Sequence, residues 1–349
     1  MATTNTLVYF DNLFHAVSLA LIISVLSMGP SLRCEAKETD QYTDRQVLLS
    51  LVDSSAVVDT HINQLISQAN DELNRRAPIG VDVQWSIIEN TFQSNILPHL
   101  LNPIEDWASD QAPLQRYVVA FRGIYGQSVD YDDMFLGWPV NLSPTIKLAG
   151  VLMGTDKIGH FFGQGWEYLQ HFRSITHDRN DLSSEALEGA YAELRRKGDE
   201  LERGNLGTDN IGVYSAGDLA ANWQGFTFYR NIFNGPNPYI TLGPDGRYYK
   251  QNYFTFSNYV ADDFDEALNP SRLRSQRFFN KVRSHFVEGP NSICSAYQKE
   301  PALYRHTTAQ RLDPKTYLAD TTQVHSEFDA RPRTSQLFID ITEICRSHP

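Results

Sequence analysis

Residues 154–172, GTDKIGHFFGQGWEYLQHF, and residues 214–233, YSAGDLAANWQGFTFYRNIF, decide how this chain is read. In the first stretch Asp156 and His160 stand four apart, so a helix from about Thr155 places them on one face. Gly159 and Gly163 repeat the interval. In the second, Asp218 and Asn222 stand four apart, Gly217, Ala221 and Gly225 form a stripe of small residues, and Ser215 is placed to cap the helix. Small residues at this spacing let two helix backbones approach closely. The two helices are therefore expected to pack together, bringing Asp156, His160, Asp218 and Asn222 to one place. Lys157 would neutralise a carboxylate there, and Glu200 or Glu202, at the end of the intervening helix, would supply another.

Three kinds of chemistry are open to such a cluster. An Asp that orients a His makes a general base near neutral pH. Carboxylates with an imidazole and an amide oxygen hold a divalent metal, for which Asp156, His160, Asp218 and Glu202 are the candidates. Alternatively, the groups satisfy one another as a buried network. The catalytic set is Asp156, Lys157, His160, Asp218 and Asn222, and a divalent metal is the one cofactor these residue types suggest.

Outward from this centre the pattern is helical. Thr43 and Gln46 have the spacing of a capping box ahead of a long helix that buries Leu48, Leu51, Val52, Leu65, Ile66, Ala69 and Leu73, with a possible break at Asp53-Ser54-Ser55. Further helices are expected from Val83 to Leu101, from Pro113 to Tyr125, from Ser183 or Ser184 to about Arg203, and after Asn269-Pro270-Ser271. Ile146–Met153 is apolar and suited to a strand. Residues 238–256, with Gly-Pro-Asp-Gly between two β-rich runs, predict a hairpin. The expected fold is mainly α with that one small hairpin. It would form a single domain over residues 40–349, in which 236–349 extend a core at 154–229.

The formal net charge of -12 argues against nucleic acid and against electrostatic docking on anionic lipid. Ala16–Met28 is an apolar run the size of a signal-peptide core, short of the about 20 residues of a span, and Cys34-Glu35-Ala36 offers a cleavage point. Residues 1–36 are thus expected to be a signal peptide and the mature chain to have no transmembrane span. No Lys or Arg precedes the run, so an uncleaved anchor through residues 13–32 is the alternative. Cleavage would leave Cys294 and Cys345, an even count that predicts a disulfide in an oxidising compartment. The acidic run Asp262-Asp263-Phe264-Asp265-Glu266 lacks the Gly and distal Glu of a calcium loop, and is expected to favour the positive end of the next helix. The chain has no G-x-S-x-G, Walker loop, H-E-x-x-H or C-x-x-C, so Ser or Cys nucleophiles have no support.

TDKIGHF followed by SAGDLAANWQGF resembles the paired motifs of VanZ-like proteins and of the related YfiM-type envelope lipoproteins. The resemblance covers residues 154–229. It implies a helical core with Asp156, Lys157, His160, Asp218 and Asn222 at its polar centre, and a setting in envelope and cell-wall glycan biology. VanZ-like proteins resemble multi-span membrane proteins, whereas the corresponding helices here are too polar to span, so only the core carries over. The leading expectation is an exported bacterial envelope hydrolase, periplasmic or secreted, acting on cell-wall glycan or lipid-linked material with His160 as base. The rival is a non-catalytic envelope protein that binds or scaffolds a glycan, lipid or protein partner, with the cluster as a buried structural network. An open cleft at His160 separates the two: a catalytic site needs one and a structural network does not.

Overall fold

The computed structural model describes residues 37–93, 102–120, 123–128, 141–179, 181–204, 206–305, 311–319 and 337–346. Over these residues the chain is mainly α-helical, with small two-stranded sheets. The expected signal segment lies outside them.

Helix α1, Ser55–Arg76, buries Val58, Ile62, Ile66, Ala69 and Leu73, one apolar stripe at helical spacing. The break expected ahead of it is present: Asp53 Oδ1 accepts from the Ser55 backbone N–H, separating α1 from a short helix at Arg45–Leu49. The capping box is not formed, because the Thr43 hydroxyl donates to Asp40 Oδ2 instead. Helix α2, Val81–Phe92, packs against α1. The helix expected from Pro113 to Tyr125 does not form over its first residues, and a short helix at Gly123–Ser128 reaches only its end. Tyr117 instead exchanges backbone hydrogen bonds with Thr145, at 2.9 and 2.8 Å. Those bonds satisfy the same backbone groups that a helix would have paired.

The centre is built from three longer elements. Helix α3 runs as Asp156–Gly159, a π-helical turn at His160–Gln164, and Gly165–Thr176. Helix α4, Ser184–Arg203, is capped by Ser183, and helix α5, Ala216–Phe233, by Ser215, whose hydroxyl accepts from the Asp218 N–H at 3.2 Å. Helix α5 is buried around most of its circumference, as a helix at the centre of a core must be. Phe92, Phe161, Phe162, Phe228 and Tyr229 meet there, mostly edge to face.

Glycines set the α3–α5 separation. A Cβ on Gly225 would overlap the Phe161 carbonyl, and one on Gly165 would press on the Gly225 backbone. Gly165 thus meets the Gly225 backbone, while Gly159 leaves room for Glu105 and Gly217 for Lys157. Gly225→Ala is expected to cost about 1–3 kcal/mol, the range for overpacking a close contact. A urea midpoint equal to the parent's would refute that account of the helix contact.

The strands are short. Lys37–Glu38 (β1) pairs in parallel with Asn141–Leu142 (β2). Ile146–Met153 is not one strand: Ala149 and Gly150 take positive φ and fold it into Thr145–Leu148 (β3) against Val151–Gly154 (β4), which leads into α3. The hairpin within 238–256 is present as Ile240–Leu242 (β6) and Tyr248–Lys250 (β7), turning at Gly246 with φ 78. Between these hairpins Val213–Tyr214 (β5) pairs with Arg272–Leu273 (β8). That pairing holds extended the residues expected to begin a helix, so helix α6 starts later, at Gln276–Val287, capped by Ser275.

Cys294, in α7 (Ile293–Lys299), is bonded to Cys345, in α8 (Ile341–Arg346), with Cα atoms 5.1 Å apart. A smaller apolar cluster containing Tyr42, Phe279, Val282, Phe286 and Ile344 surrounds the bond. Among the described residues no helix is long and apolar enough to cross a membrane.

Candidate functional site

The start of α3, the start of α5, the end of α4 and the segment after β7 meet at one buried point. Lys157 Nζ lies 2.8 Å from Asp156 Oδ2, 2.5 Å from Asp218 Oδ1 and 2.6 Å from Glu266 Oε1. The contact with Asp218 is a close ion pair. His160 Nε2 is 3.1 Å from Asp218 Oδ2, and its Nδ1 is 2.9 Å from Asn222 Oδ1. Thr39 Oγ1 donates to Asp156 Oδ1 at 3.4 Å. The two i,i+4 pairs are thus brought together, with Lys157 between the aspartates.

Of the two glutamates considered at the end of α4, Glu202 belongs to the cluster and Glu200 does not. Glu202 Oε1 accepts from the Ser215 N–H at 2.8 Å, whereas Glu200 is half exposed and pairs with Arg196. Glu38 and Glu266 also belong, and no local pattern marked either. The acidic run 262–266 does not line the positive end of a helix. It is buried, with Asp265 in a two-pronged pair with Arg45, Asp263 accepting from the Leu312 N–H, and Glu266 on Lys157.

The centre is closed. Asp156 is 2%, Lys157 0%, His160 1%, Asp218 1% and Asn222 1% exposed. A surface cavity of about 520 Å³ is lined by residues including Trp85, Phe172, Arg173 and Arg230, and by none of these five. A second, of about 410 Å³ and including Tyr42, Arg45 and Tyr304, is likewise lined by none of them.

Burial opposes charge on Lys157, but Asp156, Asp218 and Glu266 hold its pKa well above the ordinary value. Burial also opposes charge on His160, yet the Asp218 carboxylate prevails and pushes the imidazole up to about 9. Asp218 is buried too, and His160 and Lys157 still hold it below the usual carboxylate range. Burial, with repulsion from Asp218, lifts Glu202 to about 8. Burial lifts Glu266 to about 7 against the pull of Lys157, and lifts Glu38 well above its ordinary value, with Glu266 and Asp218 adding to the effect.

Both ring nitrogens of His160 face oxygens, Nε2 the Asp218 carboxylate and Nδ1 the Asn222 amide oxygen, an arrangement that favours the protonated ring. The base and ligand roles expected for His160 would require one of these two contacts to break. The expected metal quartet also divides. Asp156 and Asp218 converge with Glu266, where the Lys157 ammonium sits, while Glu202 converges with Asp218 and Glu38.

No known family profile, no curated protein and no solved structure matches this chain.

Proposed function

We propose that this chain is an exported bacterial envelope protein that binds or scaffolds a partner, with the Asp156/Lys157/His160/Asp218/Asn222 cluster as its structural keystone. The observation that carries this reading is closure: His160 is 1% exposed and both its nitrogens are engaged within the protein. A general base must come within about 2.6–3.2 Å of the proton it takes, directly or through one water. Among the described residues neither cavity reaches His160, which counts against the hydrolase reading. Export is supported by the Cys294–Cys345 bond, which belongs to an oxidising compartment, and by the apolar run at Ala16–Met28. The resemblance of residues 154–229 to VanZ-like and YfiM-type proteins supports the envelope setting, and a net charge of -12 favours a glycan, lipid or protein partner over nucleic acid.

His160→Ala tests the reading. It removes the imidazolium that bonds Asp218, so a keystone loses about 1–3 kcal/mol. The thermal midpoint, the soluble protein level and the envelope phenotype of a host carrying the variant should then fall together. A variant with the parent's midpoint whose phenotype is lost would instead mark His160 as catalytic, since positioned acid–base groups contribute about 10²–10⁴-fold.

A further inference from the structure

Five buried carboxylates, Glu38, Asp156, Glu202, Asp218 and Glu266, gather where the described residues supply two cations, Lys157 and His160. The Lys157 ammonium occupies the space among Asp156, Asp218 and Glu266. Glu38, Glu202 and Asp218 form a second trio, each offering an oxygen, with all three oxygens within 4.8 Å of one another. That span is about twice a calcium–oxygen bond of 2.3–2.6 Å, so three such oxygens can share one ion.

A second observation points the same way. Glu38 Oε1, Glu38 Oε2 and Glu202 Oε2 are buried and accept no hydrogen bond, although both residues are at most 1% exposed. Buried carboxylate oxygens ordinarily find donors, and an orphaned one needs an explanation. Both Glu38 oxygens are orphans, so the one that Glu38 brings to the trio has no donor, while Asp218 is shared with Lys157 and His160. Three elements distant in sequence bring them there: β1, the end of α4 and the start of α5.

We infer that Glu38, Glu202 and Asp218 form a binding site for one hard divalent cation of the Ca²⁺ type. An all-oxygen donor set selects Ca²⁺, Mg²⁺ or Mn²⁺ over softer metals, and Ca²⁺, which tolerates irregular oxygen geometry, suits a carboxylate trio best. The ion ties the N-terminal strand to the two helices that carry the polar centre. Because the site is closed, the ion enters as the chain folds or opens, and its role is structural. This inference stands on the orphaned oxygens and is independent of the functional reading above.

The test uses the full purified chain, unfolded with EDTA and refolded with Ca²⁺, Mg²⁺, Mn²⁺ or EDTA alone. Refolding with Ca²⁺ should leave about one equivalent bound after desalting, by elemental mass spectrometry. It should also raise the thermal midpoint by about 5 °C at a hundredfold excess over Kd. Glu38→Gln and Glu202→Gln each remove one ligand charge at nearly constant volume, and each should weaken Ca²⁺ by at least about tenfold and abolish the rise. Glu266→Gln, on the Lys157 side, should keep it. Retention of no ion and no rise with any of the three cations would overturn the inference. A rise undiminished in whichever of Glu38→Gln and Glu202→Gln folds would overturn it equally, by placing the ion elsewhere.

Discussion

Lys157→Met is expected to abolish folding or to lower stability by more than about 4 kcal/mol, the largest effect of any single substitution considered. Methionine keeps much of the side chain's length and apolar stem, so the change isolates the charge. Lys157 is 0% exposed and pairs with Asp156, Asp218 and Glu266. Breaking one buried ion pair costs about 3–5 kcal/mol, because the partner's charge is left uncompensated. Here three carboxylates lose the same partner, and among the described residues only Asp218 keeps another cationic partner, His160. The remaining route to neutrality is proton uptake by the carboxyls, which itself costs free energy at pH 7. Soluble yield and the urea midpoint report the outcome. The double variant Lys157→Met/Glu266→Gln removes one of the stranded charges and should recover part of the loss, giving a non-additive cycle. A Lys157→Met protein with the parent's midpoint would show that the lysine does not hold the cluster together.

The sequence revealed the parts of this centre that depend on local spacing. Asp156 with His160, and Asp218 with Asn222, are one helical turn apart, and one turn is enough to put each pair on a common face. Ser183 and Ser215 cap their helices for equally local reasons. The register between the helices was not legible, because the π-helical turn at His160–Gln164 shifts the phase of everything after it. Gly165, just beyond that turn, is the residue that meets the Gly225 backbone. Glu38 and Glu266 were missed for a different reason. One is placed by a two-residue parallel pairing with Asn141–Leu142 and the other by an irregular segment, and neither has a periodicity to read. Closure was likewise beyond spacing arguments. The same four residues would line an open cleft or a sealed network depending on whether Thr39, Glu38 and Glu266 cover them.

The closed, charge-rich centre also changes how its chemistry is understood. An Asp beside a His ordinarily suggests a base, but here the buried Asp218 carboxylate, 3.1 Å from Nε2, favours the protonated ring, which then stands as a second cation beside Lys157. Replacing a buried ionic network by apolar residues of matching volume is often neutral or stabilising, so its presence is weak evidence of a gain in stability. A role in fixing how the N-terminal strand meets α3, α4 and α5 accounts better for its position, since the cluster joins Glu38 of that strand to the polar ends of the three helices.

With divalent cations removed by chelator, stability should fall as pH rises from about 6 to about 9.5, and the groups of the cluster set the sign. His160 has its pKa raised from 6.5 to about 9, so its contribution is complete below 6.5 and is lost as pH rises through 9. Glu202, raised from 4.5 to about 8, and Glu266, raised from 4.5 to about 7, act in the same direction: the folded protein retains protons that the unfolded chain has released, and that advantage disappears as each folded carboxyl ionises. Asp218 acts oppositely. Its pKa is lowered in the folded state, so its contribution is present above its ordinary value of 3.8 and is lost only on strong acidification. The optimum therefore lies on the acid side of neutrality, and the alkaline limb belongs to His160, Glu202 and Glu266. One pKa unit corresponds to about 1.4 kcal/mol, which gives His160 alone roughly 3 kcal/mol between pH 6.5 and 9. The thermal midpoint should accordingly drop by about 5–10 °C between pH 6 and pH 9.5. In His160→Gln, which cannot titrate, the slope between pH 7 and 9 should be shallower, while the part due to Glu202 and Glu266 persists. A midpoint that is level or rising across this range would mean that the imidazolium and the protonated carboxyls are not held in the folded centre.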